Sequence, residues 1–303
     1  MTMGRLTGLR SVELGVVDVP ASVRFYTEVW GLAPVARTEQ AVYLRGTAAH
    51  HHVLAIHRRP NAELLGITFA AKGRGDVEAL HAAVKRSGVA GDAPITIAEP
   101  GGGYGFTFQD PEGRIIRVVA DDAQHADAAP AADRPHHLAH VVLNSAAVAE
   151  ARAFFVEVLG FRLTDQTRMM DFITCNDHHH NVAFVHGGAA TLNHIAFEML
   201  DLESVMRGAG RMRDHGYPIE WGVGRHGPGN NVFAYFVGPE EFVIEYTAEV
   251  QRIDEHYRVG RPEDWQWPPG RIDHWGISGP PSERMKAAQQ KIRFAAAIVR
   301  PGE

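Results

Sequence analysis

The chain has 303 residues, of which 45% are hydrophobic and 22% are charged, and its formal net charge is −6. This composition is that of a soluble globular protein with room for two cores, and it gives no electrostatic reason to expect nucleic acid or a membrane surface as a partner. No apolar run reaches the roughly 18 residues of a spanning helix, and the N-terminal residues lack the apolar core of a signal peptide. The single cysteine, Cys175, rules out an internal disulfide and favours a reducing cytoplasm.

Four segments of the first half recur in the second half, in the same order and at similar spacing, which indicates a duplication. The matching segments start at Val23 and Ala153, at Ala49 and Asp177, at Leu64 and Leu192, and at Thr107 and Tyr235. The repeats predict two domains, 1–122 and 136–250, joined by a polar, Ala/Pro-rich linker over 123–135. A tail over 251–303 has no clear periodicity, and it would either cover the mouth of a site or pack at a subunit interface.

Each half reads as strand, helix, strands, helix, strands, which predicts an α+β fold of tandem βαβββ modules, with a curled mixed sheet around a cavity in each domain. In the second half we predict strands over 138–143, 161–165, 170–175, 181–186, 194–199, 231–237 and 242–247, and helices over 146–159 and 202–215. Ser145 and Asp201 are predicted to cap the helix N-termini, and Gly160 and Gly216 to end the two helices.

Three strands of the second half each carry one metal-binding side chain in an otherwise apolar run. They are His140 in HLAHVVLN, His194 in TLNHIAFEML and Glu245 in EEFVIEYTAE, and we assign them to strands one, four and eight of this half. Burial of a bare imidazole or carboxylate costs free energy unless something pairs with it. Two histidines and one carboxylate on neighbouring strands leave half of an octahedral metal site open, which is the ligand set of a non-haem Fe(II) oxygenase.

The first half keeps the pattern of the repeat but lacks these ligands. The places of His194, Glu245 and His140 are taken by Gly66, Arg117 and the segment around Glu13, respectively. This asymmetry predicts one metal per chain, held by the second half. Of the other histidines, we interpret His136 and His137 as solvated, and His50–His52 as a remnant of the ancestral repeat.

The chain resembles the type I extradiol catechol dioxygenases of the vicinal oxygen chelate superfamily over about residues 8–250. The resemblance rests on GRHGPGNNVFAYFVGPEEFVIEY, which starts at Gly224, and on HHNVA, which starts at His179. The site residues that it implies are the metal ligands His140, His194 and Glu245, the catalytic residues His180, His226 and Tyr235, and the substrate contacts Phe172, Trp221, His226 and Tyr235. It implies Fe(II) as the cofactor, with Mn(II) as the alternative, because the ligand set does not discriminate between them.

The activity that the resemblance implies is cleavage of a substituted catechol by O2 to a muconic semialdehyde-type product, in aromatic compound degradation, by a homo-oligomer. Two departures from the family pattern bear on the substrate. The aspartate that supports the GRH histidine in some relatives is replaced by the 227–229 turn, and the arginine that pairs with a carboxylated catechol is replaced by Trp221. The second change favours an uncharged catechol, with Arg225 and Arg271 as the cations that could take over the arginine's role.

Two other functions compete with this interpretation. A redox-neutral metalloenzyme of the same superfamily, such as a glyoxalase or an epimerase using Ni, Co or Zn, would employ a fourth protein ligand, and the sequence offers none at a matching strand. A non-catalytic protein that sequesters a small molecule would need neither the three ligands nor His180 and Tyr235.

Overall fold

A computed structural model describes residues 4–296 and shows two mixed sheets, one from each half of the chain. The first half contains β1 (Leu6–Val16), α1 (Val19–Arg24), a π-helical turn (Phe25–Val29), β2 (Ala33–Arg37), β3 (Ala41–Arg45), β4 (Leu54–Arg58), β5 (Glu63–Ala71), α2 (Arg74–Arg86), β6 (Ile95–Thr96), β7 (Tyr104–Gln109) and β8 (Ile115–Ala120). These strands lie in the order β2-β3-β4-β1-β5-β8-β7-β6.

The second half repeats this arrangement with the same connectivity. It contains β9 (His137–Ser145), α3 (Val148–Glu157), β10 (Arg162–Gln166), β11 (Met170–Thr174), β12 (Val182–His186), β13 (Thr191–Glu198), α4 (Leu202–Asp214), β14 (Trp221–Arg225), β15 (Val232–Val237), a 3-10 turn (Pro239–Glu241) and β16 (Val243–Ala248). The strand order is β10-β11-β12-β9-β13-β16-β15-β14, so each half holds two βαβββ modules. The predicted α+β fold class and the duplication are confirmed. None of the helices within residues 4–296 is both long and apolar enough to cross a membrane.

Several local predictions are wrong. Ser145 is the last residue of β9, and its Oγ accepts a hydrogen bond from the Ala147 backbone N–H at 3.1 Å, so helix α3 begins only at Val148. Strand β14 was not predicted, because two glycines in its WGVGR sequence obscure the alternation of apolar and polar residues. His194 lies on β13, the fifth strand of its half and not the fourth, whereas Glu245 lies on the eighth, as predicted, when β14 is counted. By contrast, Asp201 does cap α4, since its carboxylate accepts from the Ser204 N–H at 2.8 Å.

The strand registers show which residues of the two halves correspond. Val12 pairs with Leu54 and with Ile67, as Val141 pairs with Val182 and with Ile195. The residue before Val12 is Ser11, so Ser11 and not Glu13 stands in the place of His140. The sequence alignment was displaced by two residues because the strands differ in length, and Glu13 corresponds to Val142. By the same registers, Gly66 of the first half is equivalent to His194, and Arg117 is equivalent to Glu245.

Packing between the halves places β16 firmly in the core. The indole of Trp30 stacks on the ring of Tyr246 with centroids 3.7 Å apart, and the Tyr246 hydroxyl donates to the Trp30 carbonyl at 2.7 Å. Successive side chains of a strand point to opposite faces. Glu245 is therefore directed away from this contact with the first half, toward the interior of the second sheet.

The tail lies across both sheets in the part of the chain that is described. Helix α5 (Glu283–Ala288) packs Met285 against Phe233 and Tyr235 of β15, and β17 (Arg293–Phe294) pairs in parallel with β5 of the first sheet. The last seven residues of the tail, 297–303, lie outside the described residues.

Candidate metal centre

The structure brings His140, His194 and Glu245 together. Their strands, β9, β13 and β16, are adjacent in the second sheet. The Glu245 Oε2 atom lies 3.1 Å from His140 Nε2 and 3.2 Å from His194 Nε2, and all three side chains are buried. Among the described residues, no other group of three His, Cys, Asp or Glu side chains brings its ligating atoms within 4.8 Å of one another.

The hydrogen bonds of this triad fit a bound cation. The Nδ1 atom of His194 lies 2.8 Å from Asn193 Oδ1, an amide oxygen that can only accept, so Nδ1 carries the proton and Nε2 does not. The bare Nε2 then faces the Glu245 carboxylate without a hydrogen bond, as an acceptor against an acceptor. Two buried acceptors in contact are unfavourable unless a positive charge lies between them. A divalent metal ion bound by both atoms satisfies this requirement.

An amide network that the sequence did not reveal holds His194 in this orientation. Gln289 Nε2, from the tail, donates to Asn193 Oδ1 at 2.8 Å, and Asn193 Nδ2 donates to Asn144 Oδ1 at 2.9 Å. Because both bonds fix which end of the Asn193 amide is the acceptor, they also fix the tautomer of His194. Residue types alone carry no signal for this network, since its members lie about 50 to 100 residues apart in the chain.

The protonation states of Glu245 and His194 are those that a metal requires. Burial raises the pKa of the Glu245 carboxyl, but the neighbouring His140 and His194 lower it more, so the net pKa lies well below its ordinary value. Burial lowers the pKa of His194, and Glu245 offsets this only in part. At neutral pH the carboxylate is therefore ionised and the His194 imidazole is neutral, which leaves both able to bind a divalent cation.

His180 lies beside the triad, with its ring centroid 4.2 Å from that of His140. Burial, followed by the neighbouring histidines, lowers its pKa well below the ordinary value, so its imidazole is neutral. The Nδ1 atom of His180 lies 3.0 Å from His179 Nδ1, and His179 Nε2 lies 2.8 Å from Asp165 Oδ2. The fully buried Asp165 also accepts the Gly260 N–H of the tail at 2.7 Å. His180 is thus the inner end of a hydrogen-bonded chain that the sequence did not predict.

His226 and Tyr235 lie on the other side of Glu245. The Nε2 atom of His226 is 2.9 Å from the Tyr235 hydroxyl and 3.8 Å from Glu245 Oε1. Burial lowers the pKa of His226 to about 4, with Glu245 opposing the shift, so this imidazole is neutral at pH 7. Burial raises the pKa of Tyr235 well above its ordinary value, and the phenol stays protonated. At pH 7 the His226 imidazole can therefore accept a proton, while the protonated Tyr235 phenol donates a hydrogen bond.

Aromatic rings flank both sides of the triad. The Phe172 ring lies 5.2 Å from the His180 ring, and the Trp221 ring is stacked 5.0 Å from the Tyr235 ring. The structure thus places all eight residues predicted for the site in one region of the second sheet. Trp221 and Phe172 add flat apolar surface next to polar groups that converge on one point, as in small-molecule sites.

Two cations named from the sequence are engaged elsewhere. The Arg225 guanidinium donates to the Asn230 carbonyl at 2.7 Å and to the Glu249 carboxylate. Arg271 donates to the backbone carbonyl of Asp273 at 3.0 Å and to that of His274. Within residues 4–296, no hydrogen bond or ion pair joins either arginine to the triad.

The prediction that His136 and His137 are solvated is wrong, because both are partly buried and hydrogen-bonded. His136 Nδ1 lies 2.8 Å from the Thr47 hydroxyl, and His137 Nδ1 donates to the Leu138 carbonyl at 2.8 Å. The His136–Thr47 contact joins the two halves, whereas the His137 bond lies within the second half.

The model of the Glyoxalase/Bleomycin resistance protein/Dioxygenase superfamily matches residues 8–118 and 137–246, which include the whole triad. The chain belongs to this superfamily. Among solved structures, the Mn(II)-bound glyoxalase from Novosphingobium aromaticivorans is 36% identical, with a TM-score of 0.86, and the match covers 99% of this chain and 97% of that one. The superfamily assignment is confirmed. The resemblance to the dioxygenases of this superfamily, which was inferred from the GRH and HHNVA segments, is also confirmed.

Curated relatives of the chain include ring-cleaving enzymes. Metapyrocatechase 2 of Cupriavidus necator is 29% identical over 189 residues, which are 55% of this chain and 57% of that protein. A variant of homoprotocatechuate 2,3-dioxygenase from B. fuscum shares the fold, with a TM-score of 0.80 at 23% identity over 90% of this chain and 79% of that one. The match covers about half the length of three curated relatives, from 45% to 57%, and 89% and 78% of two others.

Proposed function

We propose that the chain is an extradiol dioxygenase, which uses one divalent metal per chain to cleave the ring of an uncharged, substituted catechol with O2. The observation that carries the proposal is the buried His140–His194–Glu245 triad, in which the Glu245 carboxylate lies 3.1 and 3.2 Å from the two Nε2 atoms and the His194 Nε2 has no hydrogen-bond partner. A set of three protein ligands leaves three positions open on an octahedral metal, enough for two catechol oxygens and O2. The metapyrocatechase and dioxygenase names of the relatives support the same reaction class.

The chain's own residues supply proton transfer on both sides of the metal position. The neutral His226 imidazole, bonded to the Tyr235 hydroxyl at 2.9 Å, accepts a proton from a catechol hydroxyl, and Tyr235 holds the oxygen that remains. On the opposite side, the neutral His180 imidazole takes the second catechol proton and returns it to the oxygen that needs it during cleavage. Phe172 and Trp221 orient the ring and exclude water from the reacting atoms.

The metal is proposed to be Fe(II) or Mn(II). Two neutral imidazoles and one carboxylate reduce the charge of a divalent ion to about +1, which suits a catecholate monoanion. Both ions accept this mixed nitrogen and oxygen set. A relative named as Mn-dependent and a Mn(II)-bound structural neighbour support Mn(II) as strongly as the ligand types support Fe(II). Activity restored to metal-depleted protein by each ion separately distinguishes them.

We expect kcat/KM for 4-methylcatechol to exceed that for 3,4-dihydroxyphenylacetate by at least about tenfold, or ~1.4 kcal/mol. A buried carboxylate needs a paired cation, and Arg225 is bonded to Asn230 and Glu249 while Arg271 is bonded to Asp273 and His274. Initial rates of formation of the yellow product with each substrate provide the measurement. A tenfold preference for the acid would contradict the uncharged-substrate proposal, and Arg225→Gln and Arg271→Gln would then identify the cation responsible.

Asp165→Asn is expected to lower kcat about tenfold, a typical effect for a residue one step removed from the reacting groups. The Asp165 carboxylate accepts from His179 Nε2 and so leaves His179 Nδ1 as an acceptor for the Nδ1–H of His180. An asparagine amide can donate and reverse this chain, which changes the nitrogen that His180 presents to the substrate. We expect the pH–rate profile to move while metal content stays constant. An unchanged profile, or an equal effect of the exposed control Asp214→Asn, would contradict this positioning role.

A redox-neutral reaction is the second candidate, because the 36%-identical structural relative is named as a glyoxalase. Such sites add a fourth protein ligand, whereas the group found in the described residues contains three. Oxygen uptake separates the two candidates. Consumption of one O2 per catechol supports ring cleavage, and metal-dependent turnover of a hemithioacetal without O2 uptake would replace it with isomerisation.

A further inference from the structure

A cavity of about 270 Å³ lies in the first sheet, away from the triad. Its polar lining includes Arg10, Glu13, His52, His57 and Arg117. Its apolar lining includes Ala41, Ile97, Pro100 and Val119. The volume is close to the lower end of the range of small-molecule sites, which suits a single ring.

The cavity occupies the position in the first half that the triad occupies in the second. Ser11 and Arg117, which correspond to His140 and Glu245 by strand register, both line it. Tyr43 pairs with Ala55 as Phe172 pairs with Ala183, so the cavity also retains an aromatic ring at the position of Phe172. The duplicated scaffold therefore keeps a concave site where the metal ligands have been replaced.

The charges of this cavity are balanced among themselves. Arg117 Nη1 lies 2.8 Å from Glu99 Oε2 and 3.3 Å from Glu13 Oε1, and Arg10 Nε lies 2.9 Å from Asp122 Oδ2. Both guanidinium groups of the lining thus have carboxylate partners. An anionic ligand would have to break these buried ion pairs, which is costly, and a cationic ligand would have to displace an arginine.

The carboxylate acceptor of this cavity, Glu13, favours a ligand with hydroxyl donors. Burial raises the pKa of Glu13, but Arg117 and His57 lower it more, to about 2, so Glu13 is an ionised acceptor at neutral pH. His57 Nε2 lies only 3.1 Å from Glu13 Oε2. The carboxylate oxygens have lone pairs beyond those used by these partners. A phenolic hydroxyl can donate to them while the ring lies against Tyr43 and the apolar wall.

We propose that this cavity is a second, metal-independent binding site for a small uncharged phenol of one ring. The site does not depend on the reaction performed by the second half. Its chemistry is set by the polar lining residues Glu13 and Arg117 and by the lining residues Tyr43, Ala41 and Ile97. Since Arg117 replaces a metal ligand, the first half binds a phenol by hydrogen bonds and not by chelation.

Binding of 4-fluorophenol to the metal-loaded protein, counted by equilibrium dialysis and ¹⁹F NMR, tests the proposal. Wild-type protein should bind one equivalent of 4-fluorophenol more than Ala41→Phe, because the phenylalanine fills the cavity. It should also bind more than Gln40→Trp, because the tryptophan narrows the exposed rim of the cavity. The exposed control Ala126→Phe should match wild type. We expect 4-fluorobenzoate and 4-fluorobenzylamine to bind to this site at least tenfold more weakly, and metal content and Tm to be unchanged in Gln40→Trp.

Equal stoichiometry in wild type and both cavity variants would overturn the proposal, as would tighter binding of either charged probe. If Ala41→Phe fails to fold, Gln40→Trp together with a crystal soaked in 4-bromophenol decides the question. An anomalous bromine peak beside Glu13 and Tyr43 is the expected result. Bromine found only in the second half would contradict it. The number of bound phenols is compared between cavity variants that leave the triad intact. A failure of the phenol-site proposal is therefore distinguishable from a failure of the proposed ring cleavage.

Discussion

Glu245→Ala is expected to abolish metal retention and ring cleavage together. Glu245 supplies the only carboxylate of the triad, and its Oε2 contacts both His140 Nε2 and His194 Nε2. Replacing even an outer partner of a metal ligand typically costs 10- to 100-fold in affinity or activity, so loss of the ligand itself should cost at least ~100-fold. The variant also removes the negative charge that offsets the divalent ion, which leaves two neutral imidazoles as a weak bidentate site.

Metal content after anaerobic loading and gel filtration, read beside O2 uptake with catechol, checks this prediction. Wild-type protein should retain one metal per chain, because Gly66 and Arg117 stand in the matching places of the first half. Glu157→Ala, at an exposed helix end, is the matched control and should retain both metal and activity. Two tightly bound metals per wild-type chain, or normal metal and turnover in Glu245→Ala, would show that the ligand set is wrong.

Much of this site could be predicted from sequence because each candidate ligand interrupts an apolar strand. Period-two alternation identified the strands of His140, His194 and Glu245, and the repeat showed that Gly66 and Arg117 replace two of them. Strand pairing then makes neighbours of segments that are far apart in the chain. The place of His140 in the first half was predicted incorrectly, because strand register depends on bulges and turn lengths that a short alignment does not reveal.

The hydrogen-bond partners that orient the site residues could not be predicted from the sequence. Gln289 reaches Asn193 from the tail, and Asp165 reaches His179 from a neighbouring strand region, through contacts that only the folded chain creates. Such hydrogen bonds have no periodicity, since they depend on side-chain direction across sheets. The tail was the least predictable segment for the same reason, although its Gly260 N–H completes the bonds to Asp165.

His180→Phe is expected to retain the metal and catechol binding but to lower kcat by 10²- to 10⁴-fold, the usual contribution of a positioned acid or base. His180 is additional to the three-ligand set, so its loss leaves the triad unchanged. Phenylalanine preserves a ring next to His140 and Phe172, whose centroids lie 4.2 and 5.2 Å from that of His180. It cannot carry a proton, and it removes the partner of His179 Nδ1.

Single-turnover kinetics separate this effect from binding, because KM equals the substrate Kd only when chemistry is slow relative to substrate dissociation. The expected pattern is an unchanged catechol Kd and metal content with a slowed chemical step. His186→Phe, at the exposed end of β12, is the control and should behave as wild type. If His180→Phe instead lost its metal, His180 would be a ligand, and the open positions required for two catechol oxygens and O2 would no longer be available. Metal content in this one variant therefore tests the three-ligand site, and the rate of its chemical step tests the proton-carrying role of His180.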